Sequence, residues 1–143
     1  MTLFQNGHFY PTAIGLPPPP GAGPPFIQVE MAGPTGCYQP VVGKLDTGAF
    51  MTVLTFDTGK ALGLADPSSN PLCQGIAQAA NGGDLHYFVH RVAVRVANPA
   101  GADLGFLLKA AFAPAVSGNL FGIDWVRHLC AAVDVRQVHL LRD

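Results

Sequence analysis

The sequence predicts an all-β fold with a single core and little helix. Apolar runs of strand length recur along the chain and are separated by turn residues such as Gly, Pro and Asn. A strong hairpin signal, Asn81-Gly82-Gly83-Asp84, stands between two of these runs. At 143 residues and 15.0 kDa, the chain is long enough for one hydrophobic core.

The predicted elements follow one another from residue 26 onward. Strands are expected at 26–31, 38–45, 76–80, 85–96, 106–113 and 133–141, with a turn at 33–36. Residues 1–25 are set apart as an N-terminal arm, in which 8–14 is either a strand or a loose segment. The arm ends in a Pro-rich, stiff and extended linker. The predicted division is therefore an arm at 1–25 and a domain at 26–143.

One predicted strand changes the face on which its apolar residues lie. In 85–96 the apolar positions are first Leu85, Tyr87 and Val89, and then Val92, Val94 and Val96. Because side chains alternate between the two faces of a strand, this change of parity predicts a bulge or a barrel corner near His90.

Two short helices are also expected. Asp57 precedes an amphipathic run that ends near Gly63, so Asp57 is interpreted as a helix cap or first-turn residue. Asp124 is predicted to cap a helix in the C-terminal half, in which Trp125, Leu129 and Val133 share one face.

The composition narrows the classes of partner. Charged residues make up only 12% of the chain, against about 25% in average proteins, so much of the surface is expected to be covered by a partner subunit or a bound apolar peptide. A net charge of -1 argues against nucleic-acid binding. No apolar run approaches the roughly 18 residues of a membrane helix, and no secretion signal is visible. A cytoplasmic location is therefore expected.

The cysteines and histidines do not suggest a metal centre. The three cysteines are odd in number and form no Cys-x-x-Cys pair, which favours reduced thiols in a cytosolic protein. His86 and His90 can share a strand face, but the spacing of a zinc site is absent. Neither a metal nor an organic cofactor is predicted.

Asp46 is the candidate with the clearest setting for chemistry. It ends an apolar run and is followed by Thr47-Gly48 and, after a tight turn, by a second apolar run at 52–54. Gly48 has no Cβ, so the chain can reverse sharply and hold the carboxylate at a bend between two β segments. The same triplet occurs again at Asp57-Thr58-Gly59, but there it opens a helix and is interpreted as structural.

Three blocks of sequence resemble the retropepsin family, the single-domain aspartic peptidases of retroviruses and their bacterial relatives. Asp46-Thr47-Gly48-Ala49 with Thr52-Val53-Leu54 is similar to the active-site loop of that family, and Asn119-Leu120-Phe121-Gly122 is similar to its closing motif. Ala79-Ala80-Asn81-Gly82 resembles the Ala-Asn-Gly of bacterial members. The blocks stand in family order and cover roughly residues 25–141.

The resemblance implies an acid-protease type of closed barrel, a flap hairpin and an aspartic endopeptidase that acts as a homodimer. Asp46 from each subunit would form a catalytic pair, Thr47 would brace the turn, and Gly48 would leave room for the substrate. The residues implied to bind a peptide are Ala49, Ala79, Ala80, Asn81, Gly82, Gly83 and Leu120.

The chain departs from the viral members at two positions. Viral enzymes usually carry an acidic residue where Phe50 stands and an Arg where Ile123 stands. An apolar contact can replace an ion pair at little cost in stability. The departure leaves the implied fold intact but puts the viral pattern of dimer contacts in doubt.

A second function remains open from the sequence. A noncatalytic dimerisation or peptide-binding module with the same fold would bind extended peptides by adding them to a sheet as a strand. The intact Asp46-Thr47-Gly48-Ala49 block favours the peptidase.

Overall fold

The computed structural model describes residues 8–11, 26–46, 48–79, 81–96, 104–124, 131–133 and 138–142, and these confirm an all-β fold with little helix. The strands are β1 (His8–Pro11), β2 (Phe26–Ala32), β3 (Tyr38–Leu45), β4 (Val53–Thr55), β5 (Cys73–Gln78), β6 (Asp84–Val96), β7 (Leu104–Ala113), β8 (Leu120–Phe121), β9 (Ala131–Val133) and β10 (Val138–Arg142). The helix α1 spans Phe56–Ala61.

Seven strands form the larger sheet, in the order β2-β3-β8-β4-β7-β6-β5. Because β2 also pairs with β6, six of these strands are hydrogen-bonded in a closed cycle, and β5 lies outside it as an edge strand. The closure is short, since it depends on three residue pairs between β2 and β6 and on one pair between β4 and β8. The expected barrel is therefore closed over only part of its height.

The core lies inside this cycle of strands. Its largest fully buried side chains include Phe112 on β7, Phe121 on β8 and Met31 on β2. The strand β2 alternates between half-buried and buried residues until Met31, and it turns into β3 through a tight turn in which Gly36 adopts a φ of 73°. The predicted bounds of the second strand, 38–45, agree with β3.

The strand β6 explains the change of parity near His90. Its pairing with β7 runs without interruption from Phe88 to Val96, so the predicted bulge is absent from this ladder. On its other edge, β6 pairs with β5 up to Val89 and with β2 from Ala93, so the strand does pass a corner of the sheet there. One continuous strand thus has its odd-numbered apolar residues, Leu85, Tyr87 and Val89, on one side near the hairpin, and its even-numbered ones, Val92, Val94 and Val96, in the core.

The helix α1 confirms the structural interpretation of Asp57. The N-cap is Thr55, whose hydroxyl accepts a hydrogen bond of 3.0 Å from the Thr58 backbone N–H, and Asp57 lies in the first turn. Gly59 is the buried residue of this helix. A Cβ at that residue would lie 2.8 Å from Pro67 Cγ and 3.0 Å from Phe112 Cδ1, so close packing excludes any larger side chain.

The C-terminal segment differs from the prediction. A single strand at 133–141 is wrong, because β9 and β10 pair with each other in antiparallel fashion; residues 134–137, which separate them in the sequence, lie outside the described part. Val133 lies on β9 rather than on a helix. The helix predicted near Asp124 is described only at Ile123 and Asp124, and residues 125–130 lie outside the described part.

A smaller sheet, in the order β1-β10-β9, contains the one described segment of the predicted arm. The strand β1 pairs with β10 from His8 opposite Arg142 to Pro11 opposite His139. The remainder of the arm, including the Pro-rich linker, lies outside the described residues. No helix in the described ranges has the length and hydrophobicity needed to cross a bilayer.

Candidate active site around Asp46

Asp46 lies directly after β3, where the chain leaves the sheet. Its backbone N–H donates a hydrogen bond of 2.8 Å to the Phe121 carbonyl, which ties it to β8. Its own carbonyl accepts a bond of 3.1 Å from the Ala49 N–H and closes a tight turn. Thr47, the second residue of the predicted site, lies outside the described residues.

The side chain of Asp46 is oriented by the same turn. The Gly48 backbone N–H donates a hydrogen bond of 2.9 Å to Asp46 Oδ1. A Cβ at Gly48 would lie 3.2 Å from that oxygen, which is tighter than ordinary contact, so glycine allows this close approach. The carboxylate is half-buried and has a fixed backbone donor on one oxygen. It is therefore held in one direction before any ligand arrives.

Asn119 fixes the strand that carries Asp46. Its side-chain amide donates to the Val42 carbonyl at 3.0 Å, and its backbone carbonyl accepts from the Lys44 N–H at 2.9 Å. Its Oδ1 accepts bonds from the Thr55 N–H and the Thr58 hydroxyl, each at 3.0 Å. One side chain thus connects β3 with the start of α1. Thr58 belongs to the second Asp-Thr-Gly triplet. Through its bond to Asn119, this triplet contacts the strand that carries Asp46.

Asp124 binds the end of the segment 46–52, which is called the Asp46 loop here. Its carboxylate accepts bonds from the N–H and the hydroxyl of Thr52, and that hydroxyl accepts a bond of 3.2 Å from the Gly122 N–H. The Ile123 N–H donates to the Ala49 carbonyl at 2.9 Å. The sequence suggested a helix cap at Asp124. The structure instead places Asp124 within the first described residues of the helix, where its carboxylate binds the buried Thr52.

Asp46 opens into a groove of about 600 Å³. The groove runs between the Asp46 loop, the β5–β6 hairpin and the segment before β8. Its lining residues are Asp46, Gly48, Ala49, Phe50, Met51, Val53, Ala77, Gln78, Ala79, Asn81, Gly83, Asp84, Leu85, Tyr87, Ala111, Ala115, Val116 and Leu120. A mostly apolar cleft with a few polar groups is the usual form of a binding site.

The hairpin that lines one side of the groove ends in a hydrogen-bonded turn. The Ala79 N–H donates to the Gly83 carbonyl at 2.8 Å, and Gly82 adopts a φ of 84°, a left-handed conformation that favours glycine. Asn81 Oδ1 accepts a bond of 3.0 Å from the Gly83 N–H. These contacts confirm the hairpin predicted from the Asn-Gly-Gly-Asp sequence.

Seven of the predicted site residues meet at the groove: Asp46, Gly48, Ala49, Ala79, Asn81, Gly83 and Leu120. Gly82 forms the hairpin turn but is not among the lining residues. Thr47 and Ala80 lie outside the described part of the chain. Asp57, at 11 residues beyond Asp46 in the sequence, lies on α1 and does not line the groove.

Sequence reasoning missed several groove residues. Leu85 and Tyr87 line it from β6, and their odd-numbered positions in the predicted strand were the available signal. Tyr87 pairs with Gly75 across the hairpin, and a Cβ at Gly75 would lie 2.5 Å from the Tyr87 hydroxyl oxygen. The absence of a side chain at Gly75 therefore lets the tyrosine lie across β5.

Phe50 is the most exposed large apolar residue of the described part. It follows the Asp46 turn, lines the groove and is 86% exposed. A phenylalanine in this position keeps most of its apolar surface in contact with water.

Comparisons with known proteins add a likeness in structure. No protein-family model matches the chain, and no curated protein matches it. Among solved structures, it is similar to the retroviral protease-like domain of Ddi1 from Leishmania major, with a TM-score of 0.44 and 18% sequence identity. The match covers 78% of this chain and 90% of that chain.

Proposed function

We propose that the chain is an aspartic endopeptidase that hydrolyses peptide bonds between the two Asp46 carboxylates of a homodimer. The observation that carries the proposal is the setting of Asp46, a half-buried carboxylate with a backbone donor on one oxygen, at the edge of a largely apolar groove. A rigid backbone turn positions an acid or base more accurately than a free loop does.

The chemistry requires two carboxyl groups. One ionised Asp46 accepts a proton from water as the water oxygen attacks the scissile carbonyl carbon, and the protonated Asp46 of the second subunit donates its proton to the carbonyl oxygen. The resulting diol collapses when the C–N bond breaks: the amine nitrogen takes the proton that the first Asp46 accepted from water, and a diol hydroxyl returns a proton to the second Asp46. The nucleophile is water and the two carboxyl groups perform the proton transfers, so the proposed reaction uses no metal and no organic cofactor.

In the simplest arrangement, the second carboxylate is Asp46 of a second copy of the chain, related to the first by a twofold axis beside Asp46. In a C2 dimer the same surface of each subunit forms the contact, so one Asp46 per chain gives a pair on the axis. The exposed Phe50 supports this arrangement, because a second copy of the chain would cover it. Among the described lining residues, the other carboxylate belongs to Asp84 on the hairpin.

The groove suits an extended peptide. Its walls are the Asp46 loop and the hairpin of β5 and β6, with Tyr87 and Leu85 on the hairpin side and Leu120 on the other. In this proposal Thr47 braces the turn, while Ala49 and residues 79–83 bind the substrate backbone and its apolar side chains.

A matched pair of variants tests the proposal. Purified protein is incubated with casein and with a peptide library, and the products are identified by mass spectrometry. Asp46→Asn is expected to abolish cleavage and to retain the fold, as judged by circular dichroism. Asp57→Asn is expected to keep most of the activity, since Asn is also tolerated in the first turn of a helix. Activity in Asp46→Asn together with inactivity in Asp57→Asn would overturn the assignment.

One observation favours a second function, a noncatalytic module that binds peptides by strand addition. The strand β5 is an edge of the sheet and carries Ile76 at 60% exposure. An exposed edge can pair with an added strand. Tight peptide binding without cleavage by wild-type protein, unchanged by Asp46→Asn, would favour this function over the peptidase.

A further inference from the structure

The charged residues of the groove all have the same sign. Asp46 and Asp84 line it, and no lysine, arginine or histidine is among its described lining residues. Lys44 is near Asp46 in sequence, but its side chain is exposed and is not among the residues that line the groove. The described walls therefore carry negative charge without an internal counter-charge.

Asp84 differs from Asp46 in its surroundings. It is the first residue of β6, pairs with Gln78 across the hairpin and is exposed. Within the part of the chain whose side chains are described, it takes part in no ion pair and no side-chain hydrogen bond. Its backbone is part of the β5–β6 ladder through the pair with Gln78, next to the hydrogen bond from the Ala79 N–H to the Gly83 carbonyl. Asp84 is thus a carboxylate on a paired strand that is available to bind a ligand in the groove.

A charge of this kind acts on what enters the groove. Clefts lined by one sign of charge, with apolar walls, concentrate ligands of the opposite sign. In the C2 dimer of the proposed function, each subunit contributes one Asp84, so one negatively charged Asp84 lies on each side of the catalytic pair. A peptide with an acidic side chain would meet repulsion on either side of the cleaved bond.

We propose that Asp84 determines specificity and selects peptides that carry a lysine or arginine close to the scissile bond, among otherwise apolar residues. The inference rests on the proposed function, because it places the substrate in the Asp46 groove. The apolar lining binds most of the peptide, and Asp84 binds the ammonium or guanidinium group. Since Asp84 is exposed, the expected preference is modest, about two- to five-fold in kcat/KM for Lys over Gln at the best position.

The experiment is a charge scan of one peptide. A neutral, apolar peptide is prepared with Lys, Gln or Glu at each position on both sides of the cleaved bond, and kcat/KM is measured as a ratio within each protein. Wild-type protein is expected to prefer Lys over Gln and Gln over Glu. Asp84→Asn is expected to bring the Lys to Gln ratio close to one, and Asp84→Lys to reverse the order. The wild-type preference should also shrink as the salt concentration rises.

The matched control is Asp57→Asn, which removes an exposed carboxylate outside the groove. This variant is expected to keep the wild-type ratio. A Lys to Gln ratio of one at every position in wild-type protein overturns the inference, as does an equal ratio in wild-type and Asp84→Asn proteins. Either result leaves the peptidase itself standing, provided that the neutral peptide is cleaved and Asp46→Asn abolishes that cleavage.

A second measurement keeps the inference separate from catalysis. Fluorescence anisotropy gives the affinity of the same peptides for Asp46→Asn protein, with and without Asp84→Asn. Tighter binding of Lys peptides that is lost with Asp84→Asn supports the inference even when wild-type protein cleaves nothing, which would reject only the peptidase. Equal affinities for Lys, Gln and Glu peptides, or the absence of binding, overturn the inference.

Discussion

Asp124 accepts two hydrogen bonds from Thr52, one from the backbone N–H to Oδ2 and one from the hydroxyl to Oδ1, each 2.9 Å long. The two residues are 72 positions apart in the sequence. Thr52 is fully buried, so these bonds lie where water does not compete for them. They join the loop that carries Asp46 to the segment that follows β8. The geometry of the site therefore depends on a contact between two distant parts of the chain.

Thr52→Val is expected to destabilise the protein by about 1–3 kcal/mol relative to Thr52→Ser. Valine has the shape of threonine but no hydroxyl, so one oxygen of Asp124 loses that donor and the buried Gly122 N–H loses its acceptor. Serine keeps both bonds. Urea unfolding of the two variants measures the difference in the free energy of unfolding. Equal stabilities would mean that the hydroxyl contributes no more than the buried methyl group that serine lacks.

Gly122→Ala is expected to destabilise the fold by about 1–3 kcal/mol and to lower any activity, because the added carbon is too close to backbone atoms. A Cβ at Gly122 would lie 2.5 Å from the Met51 carbonyl carbon and 2.8 Å from the Ala49 carbonyl oxygen. Both atoms belong to the Asp46 loop, which must then move. Gly118→Ala is the control, since a Cβ there meets nothing within 4 Å. Thermal unfolding that shows equal loss in both variants would contradict this account.

The pKa of Asp66 is expected to rise in Ser68→Ala. Hydrogen bonds from the Ser68 hydroxyl at 2.6 Å and from its N–H at 3.0 Å hold the pKa of Asp66 below its ordinary value of 3.8, with a smaller contribution from the charge of Lys60. A native pKa below the unfolded one stabilises the protein at higher pH, and that stabilisation is lost as the pH falls through the native pKa.

The difference in stability between wild type and Ser68→Ala should therefore be larger near neutral pH than in acid. Titration of the Asp66 carboxyl carbon by NMR gives the pKa directly, and urea unfolding at two pH values gives the stability difference. Ser69→Ala serves as the comparison, because the described bond of Ser69 to Asp66 uses only backbone atoms. An unchanged Asp66 titration in Ser68→Ala would refute the assignment.

Specific activity is expected to fall when the enzyme is diluted. Each subunit of the proposed dimer supplies one Asp46, so separated subunits lack a complete catalytic pair. Activity per mole of chain is measured over a wide range of concentration, and sedimentation velocity gives the fraction of dimer in the same samples. A monomer whose specific activity does not change with concentration would rule out a pair formed across two subunits.

The rate of cleavage is expected to be bell-shaped in pH, with its maximum on the acidic side of neutral. Two carboxylates about 4 Å apart repel each other by roughly 4 kcal/mol at an effective dielectric constant of about 20, so the pair shares one proton. Activity requires this singly protonated form. A profile of kcat/KM that continues to rise through alkaline pH would exclude a carboxylate pair.

Local signals in the sequence were sufficient for the elements that frame the site. The apolar run at 38–45 and the Asn-Gly-Gly-Asp turn each depend on neighbouring residues, and β3 and the β5–β6 hairpin appear where they were expected. The hairpin begins earlier than predicted, at Cys73, because cross-strand pairing with Val89 rather than local hydrophobicity extends β5.

Long-range contacts account for what the sequence did not reveal. The roles of Thr52 and Asn119 depend on partners more than 60 residues away, and a side-chain amide or hydroxyl carries no local mark of such a partner. The division of 133–141 into β9 and β10 has a similar cause, because pairing between two segments decides where a strand ends. The change of parity in β6 is visible in the sequence. That it separates residues of the groove, Leu85 and Tyr87, from residues of the core is visible only in the structure.

The packing of Gly59 has a consequence for large-scale mutagenesis. A side chain at this residue has no room beside Pro67 and Phe112, so Gly59 of the second Asp-Thr-Gly triplet tolerates little change even though it does not line the groove. In a saturation library scored only by cleavage, Gly59 would be depleted like an active-site residue. Scoring cellular abundance in parallel separates the two triplets. Gly59 variants are expected to unfold and to be low in abundance, whereas Asp46→Asn is expected to be abundant but inactive.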